Sequence, residues 1–368
     1  MQTIRTLHKY ISLGVGALWF LQALTGTILV FHRELDDAML GARPMAIDMS
    51  KIDARIAAVQ RDRPGSTVGL LTVSGGFPGY FDLFATDKSK ETDVLRLDGQ
   101  GDVLRTRPYD HDYASMTGFR LLYIFHTSLF AGATGRIFLG LSGVLLLTTI
   151  IFGLQLAWPP RGRWRRWLWP AAQAQSAMTW FTWHRAVGLW FAAPAIVFVS
   201  AGAILGLIEP IDDLLGVSTK PPAIPRTAEH ATAIPPSKAI EIALAQYPGS
   251  RFAVLEMPAP RAPWYRIRVR APGEPRRVFG TTAVYVSAAD GAVLADYDAR
   301  TAPLATQFAM DTFPVHTGEI AGLGGRVLSM ANGIWLMTMA GLGLTLWWTR
   351  RTQRRSRARK SRAPISPV

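Results

Sequence analysis

Four long stretches of this chain contain no Asp, Glu, Lys or Arg: residues 11–31, 137–160, 186–208 and 327–349. Each exceeds the roughly 20 apolar residues that carry a helix across a hydrocarbon layer. A water-soluble core helix rarely runs that far without a charge, and four of them in one chain point to a membrane protein. The runs predict spanning helices at 11–32, 136–158, 186–208 and 327–349. The first could be mistaken for a secretory leader. Its apolar part is too long and no small-residue cleavage site follows before His32-Arg33-Glu34, so an uncleaved anchor is expected.

Charge sets the expected direction. The net charge of +14 comes from the short segments 1–10, 159–185 and 350–368, which hold Arg5, Lys9, Arg161, Arg163, Arg165, Arg166, Arg185 and the arginine-rich tail, with no acidic residue among them. The long segments 33–135 and 209–326 are close to neutral. The positive-inside rule then places both termini and the loop 159–185 in the cytoplasm and the two long segments on the opposite face of the membrane. The basic tail reads as a contact for anionic lipid, not for nucleic acid. There is no cysteine, which excludes disulfides, thiolate-held metal and thioether-attached haem.

The plan of the chain occurs twice. His8 precedes Gly26 and Asp36-Asp37 at the spacing by which His184 precedes Gly202 and Asp212-Asp213. His126-Thr127, Gly135-Arg136, Gly143, Gly153 and Trp158 match His316-Thr317, Gly325-Arg326, Gly333, Gly343 and Trp348 in the same way. Each long segment has an amphipathic helix (51–63; 237–247) ending in Pro-Gly-Ser. Alternating strands follow, and then a hairpin, turning at Asp98–Gly101 and at Asp290-Gly291. The fold expected is therefore four membrane helices in two tandem repeats, with two α+β domains on the outer face that form a cleft and a Pro-rich linker at 219–236. Two crossings per half give both halves one orientation, related by an axis along the membrane normal.

That axis brings matched residues together. His8 and His184 sit at the cytoplasmic ends of the first and third runs; His126 and His316 lie just outside the second and fourth. A pair of imidazoles suits iron in haem. His8 and His32 are separated by about 36 Å of helix, so one helix reaches both membrane faces. His32 has no matched partner, Ile208 standing there, and His111 and His230 have none either. Arg136 and Arg326 suit either haem propionates or lipid phosphates. Glycines in every run permit close helix contact or room for a flat macrocycle, and the tryptophans around 158–183 form an interfacial belt. No ionisable side chain lies inside a run apart from the terminal histidines, which disfavours an ion-coupled transporter.

The spacing His8-x17-Gly26, with His184-Arg185-x3-Leu189, His316-Thr317-Gly318-Glu319, Gly325-Arg326 and the ending Trp347-Trp348-x-Arg350-Arg351, resembles the PepSY-associated transmembrane family from about residue 4 to 352. The resemblance implies a bacterial inner-membrane location, with outside domains that are PepSY-like and lie in the periplasm. Members of the family include iron-regulated proteins and haem-carrying ferric-siderophore reductases. It thus implies two haem b groups, the inner held by His8 and His184 and the outer by two of His126, His316 and His32. It also implies a ferric siderophore or other iron chelate as substrate; Arg and aromatic side chains of the outside domains, Arg120, Trp264 and Tyr265 among them, are expected as its contacts. Some relatives carry a fused flavin domain; here a separate donor, a cytoplasmic flavoprotein or a quinol, is expected. Two other readings stay open: a non-enzymatic PepSY-type binding or regulatory protein, and a permease for the chelate or a small solute.

Overall fold

The structure is a computed structural model describing residues 1–109, 116–171, 177–217, 224 and 234–360. His111 and His230 lie outside the described residues. In chain order the elements are α1 (Gln2–Leu29), α2 (His32–Met39), α3 (Met49–Asp62), β1 (Thr67–Val73), β2 (Tyr80–Thr86), β3 (Thr92–Asp98), β4 (Val103–Pro108), α4 (Gly118–Ser128), α5 (Gly132–Ala157), α6 (Trp164–Leu168), α7 (Ala177–Gly206), α8 (Ile208–Leu215), α9 (Pro236–Gln246), β5 (Arg251–Glu256), β6 (Trp264–Arg270), β7 (Thr282–Ser287), β8 (Val293–Tyr297), α10 (Leu304–Thr317) and α11 (Gly322–Lys360). They form two compact units. One comprises Met1–Val30, His126–Leu207 and the segment from Arg326 onward; the other comprises Phe31–Phe125 and Ile208–Gly325.

The helical unit holds α1, α5, α7 and α11, each long and apolar enough to cross a membrane. Small residues decide how they pack. A Cβ on Gly206 would lie 2.6 Å from the Cα of Gly140, and one on Gly143 would lie 2.9 Å from the Cβ of Ala203, so α5 and α7 meet backbone to backbone. Indole donors tie the other helices in. Trp19 Nε1 donates to Ser142 Oγ at 3.0 Å, joining α1 to α5, and Trp335 Nε1 donates to the Val187 carbonyl at 2.7 Å, joining α11 to α7. Outward faces carry exposed Phe138, Leu141, Leu145 and Leu344, as a lipid-facing surface requires.

These helices run beyond the apolar runs at several ends. α1 begins at Gln2 and α7 at Ala177, so His8 and His184 lie within helices instead of at their tips, and α11 continues to Lys360 through most of the basic tail. Hydropathy marks only the part of a helix that hydrocarbon covers. The i→i−4 ladder continues into water wherever the residues are good helix formers, as the Arg and Gln of the tail are.

In the second unit the two α+β portions expected from the sequence share a single sheet. Its strands make one antiparallel sheet of order β4-β3-β2-β1-β5-β6-β7-β8. Each half supplies a four-stranded meander, and the two join through β1 and β5, with Leu71 opposite Leu255 and Thr72 opposite Val254. An isolated meander would leave the backbone groups of β1 and β5 unpaired; joining the edges satisfies both. The expected hairpins are present at Gly101 (φ 78°) and Gly291 (φ 79°), where positive φ favours glycine.

One sheet face is apolar and covered. Ile52 and Ile56 of α3 and Ala239, Ile240 and Ala243 of α9 pack on Leu71, Phe81, Leu83, Leu97, Leu255, Ile267 and Val284. Asp48 caps α3, accepting from Ser50 N at 3.1 Å, and Asp53 accepts from Ser237 N at 3.0 Å, which ties α3 to the start of α9. Near the first meander the opposite face is polar. There the buried guanidinium of Arg96 binds Asp82 (2.7 Å), Asp36 (3.1 Å) and Asp37, while Arg105 grips both oxygens of Asp36 at 2.9 and 2.7 Å. Asp37 also accepts from Ser74 Oγ and from Phe77 N. The Asp36-Asp37 pair thus pins α2 to the sheet through charge-assisted bonds in a low-dielectric setting.

Candidate cofactor site

His8 and His184 come together. Their ring centroids are 6.2 Å apart with planes at 69°, and no hydrogen bond joins them among the described residues. Two imidazoles ligating one metal from opposite sides, each at about 2 Å, place their ring centres roughly 6 Å apart. The observed separation therefore has room for one metal atom between the rings.

The way each ring is held supports that fit. His8 Nδ1 lies 3.0 Å from the Thr149 carbonyl oxygen. A carbonyl only accepts, so Nδ1 carries the proton and Nε2 carries the lone pair. Metal-binding histidines are commonly oriented by such a bond from the other ring nitrogen. A glycine stands behind each ring: a Cβ on Gly153 would lie 3.2 Å from His8 Cε1, and one on Gly343 would lie 3.4 Å from His184 Cε1. Thr149 and Gly153 are four apart, hence on one face of α5. His184 Nδ1 is buried with no hydrogen-bond partner. Two imidazoles are too few donors to hold a bare cation. They suit iron whose other positions a porphyrin fills. Among the described residues no group of three His, Asp or Glu side chains converges on one point.

His126 lies in the last turn of α4. Its Nδ1 lies 3.0 Å from Thr25 Oγ1, which also donates to the Leu21 carbonyl at 2.9 Å. A Cβ on Gly26 would lie 2.8 Å from His126 Cε1. Leu129 and Phe130, both at positive φ, then turn the chain sharply into α5. His316 occupies the last turn of α10, which Gly318 closes in the left-handed region. His32 opens α2 with its ring 6.2 Å from that of Phe119. His126 belongs to the helical unit, His32 and His316 to the sheet unit.

The arginines and aromatics expected at the site separate. Arg326 is buried and gives Nη2 to the Val30 carbonyl at 2.7 Å, capping the end of α1. Arg136 is half-buried near the start of α5. Arg120 lies over Tyr109 and Tyr123, at 4.9 and 5.8 Å from their ring centres. Tyr265 is a correction. It is buried in the helix-covered core and donates to the Ile234 carbonyl at 2.6 Å, its hydroxyl pushed up to about 12 first by burial and then by the charge of Asp53. Strand alternation puts it on the same face as Ile267 and Val269, inside that core. Its neighbour Trp264 stands half-buried on the other face.

Thr149 and Thr25, the hydrogen-bond partners of His8 and His126, were not singled out from the sequence. Thr149 acts through its backbone carbonyl, which any residue would present. The legible signal was Gly153, one turn further along α5. The model of the family described as "PepSY-associated TM region" matches residues 5–350. No curated protein matches the chain.

Proposed function

The chain belongs to the PepSY-associated transmembrane family of membrane proteins, and on that premise we propose that it is a haem-containing electron-transfer protein that reduces ferric chelates, siderophores among them. His8 and His184 would hold an inner haem b. Two of His126, His316 and His32 would hold an outer one. When bound, such haem supplies one-electron redox chemistry.

The protein's own residues do the positioning. The Thr149 carbonyl and Gly153 fix the His8 ring, and Thr25 and Gly26 do the same for His126. The reading includes a duplicated origin for the two halves. His8 with Gly153 and His184 with Gly343 are matched pairs in the sequence repeat, and two-fold-related imidazoles are what a symmetric iron ligation calls for. It also includes the topology given by the basic segments: an inner membrane, cytoplasmic termini, and the sheet unit in the periplasm. Electrons would come from a cytoplasmic flavoprotein or a quinol. Ferric iron in the chelate gains one electron, and hard oxygen donors hold the ferrous ion less tightly, which releases it.

The observation that carries the reading is the 6.2 Å imidazole pair inside the helical unit. The test is the absorbance of protein purified in detergent from haem-replete cells. A Soret band is expected, with about half the haem lost in His8→Ala and in His184→Ala. The reduced wild type is expected to be re-oxidised by a ferric chelate. A colourless wild type sinks the proposal and favours a PepSY-type binding or regulatory role. Uptake of labelled chelate without reduction favours a permease.

A further inference from the structure

The polar sheet face carries a second feature, centred on β6. β6 reads Trp-Tyr-Arg-Ile-Arg-Val-Arg. Ile267 and Val269 are fully buried in the helix-covered core, so Arg266 and Arg268 stand on the opposite face. Arg266 pairs with Glu256 at 2.9 Å. Arg268 has no hydrogen-bond or ion-pair partner among the described residues, and its Nε is buried. The same holds for Arg276, between β6 and β7. Arg33 of α2 spends Nη1 on the Ser74 carbonyl. These three guanidiniums surround one ring: their central carbons lie 4.9 Å (Arg33), 6.0 Å (Arg268) and 5.8 Å (Arg276) from the centre of Phe279.

The neighbouring carboxylates are engaged elsewhere. Arg277 takes Glu34 at 3.1 Å and its backbone N–H takes Glu319 at 3.0 Å, while Arg96 takes Asp82. Burial lowers the pKa of all three arginines from the ordinary value. Repulsion from Arg277 and Arg96 adds to this at Arg33, and repulsion from Arg266 and Arg276 adds to it at Arg268; Asp82, Glu256 and Glu319 oppose it only in part. A guanidinium stays charged in a protein, and an aromatic face offsets only part of the cost of burying it. What three such forks lack is an anion. Three forks set about one aromatic ring suit a ligand that carries several carboxylates beside an apolar part.

We propose that Arg33, Arg268 and Arg276, set around Phe279, form a binding site for a carboxylate-bearing ligand. On the redox reading above, the carboxylates belong either to a ferric chelate of the citrate type or to haem propionates. The chemistry is shared: a bidentate fork on each carboxylate, with the ring packed against the ligand's apolar part.

The test uses the full chain in nanodiscs and Ga(III)–citrate, which binds as the ferric chelate does but cannot be reduced. Calorimetry gives Kd for wild type, Arg268→Gln, Arg276→Gln, the double variant and Arg268→Lys. Absorbance and potentiometry of the same samples report any haem, and melting curves confirm folding. A Kd raised roughly tenfold to a hundredfold per lost fork with haem unaltered assigns the site to the chelate. Altered haem content or potential with unchanged citrate affinity assigns it to propionate. Arg268→Lys, which keeps the charge but loses the fork, is expected to fall between wild type and Arg268→Gln. Folded variants that change neither readout overturn the site, and so does inorganic phosphate competing as strongly as citrate. A wild type without a Soret band that still binds citrate through these arginines leaves the site standing and removes only the redox reading.

Discussion

The three glycines behind the histidines allow one chemical change, Gly→Ala, to be graded by geometry. An added Cβ would lie 2.8 Å from His126 Cε1 at Gly26, 3.2 Å from His8 Cε1 at Gly153 and 3.4 Å from His184 Cε1 at Gly343. Two carbons pack comfortably from about 3.5 Å. The ring must therefore retreat by about 0.7 Å at Gly26, about 0.3 Å at Gly153 and about 0.1 Å at Gly343. Metal–ligand distances tolerate about 0.2 Å. Gly26→Ala thus exceeds the tolerance several-fold, Gly153→Ala slightly, and Gly343→Ala not at all. Gly341, on the same helix as Gly343, has nothing within 4 Å of a built Cβ and serves as the control.

Alanine also favours a helix interior over glycine by about 0.5–1 kcal/mol. Gly341→Ala and Gly343→Ala are expected to melt at or above the wild-type temperature with an unchanged haem spectrum. Gly153→Ala should keep its stability but broaden or shift the signal of one haem. Gly26→Ala should lose about 1–3 kcal/mol to overpacking together with the signal of the other haem. The assay is low-temperature EPR of the oxidised protein, which resolves haems by ligand geometry, beside thermal melting. A Gly26→Ala variant indistinguishable from Gly341→Ala in both would refute the claim that these glycines set the ring positions. A reversed order would do the same.

Two further outcomes concern the sheet unit. Arg96 is 4% exposed and serves Asp36, Asp37 and Asp82 at once; Arg96→Met leaves buried carboxylates without their cation and should cost about 3–5 kcal/mol, read as a lower urea midpoint for the sheet transition, with partial recovery on adding Asp82→Asn. The carboxyl of Asp36 is pushed up by burial, but the Arg105 fork and the charges of Arg105, Arg96 and Arg107 outweigh this and hold it below its usual 3.8. Its stabilisation is therefore complete above pH 3.8 and lost as pH falls through the folded value, so urea midpoints at pH 7 and pH 3 should differ less in Asp36→Asn than in wild type. An equal difference in both would remove Asp36 from the acid response.

What could be read beforehand follows from which forces are local. Four charge-free runs located four helices because hydrocarbon excludes charge whatever the neighbours are. The turns at Asp98–Gly101 and Asp290-Gly291 were legible because positive φ calls for glycine there. The β1–β5 seam was not, since Leu70–Thr72 and Val254–Glu256 look like any other strand residues and nothing in a strand says which partner it takes. The convergence of His8 and His184 was readable from matched spacing. The Thr149 carbonyl that orients His8 was not, because backbone acceptors leave no mark in a sequence. Tyr265 was misjudged because a tyrosine in a strand looks like a surface contact until the alternation of Ile267 and Val269 shows which face is covered.

Positions that the sequence spacing matches between the two halves differ in the sheet unit and are alike in the helical unit. In the first meander Asp82 stands opposite Arg96. In the second, Arg266 and Tyr285 hold those positions, so that a carboxylate–guanidinium pair is replaced by a guanidinium lying 6.0 Å from a tyrosine ring. That exchange turns negative charge into positive on one half of the polar face and leaves Arg268 and Arg276 without carboxylate partners, while the first half closes its own charges around Arg96. In the helical unit His8 and His184, with Gly153 and Gly343 behind them, keep the same residue types. On the haem reading, each imidazole is a ligand in its own right, so neither copy could change without altering the ligation. On the proposal for Arg268 and Arg276, a single basic surface suffices for the docking ligand, and the other copy is then available to hold α2 in place.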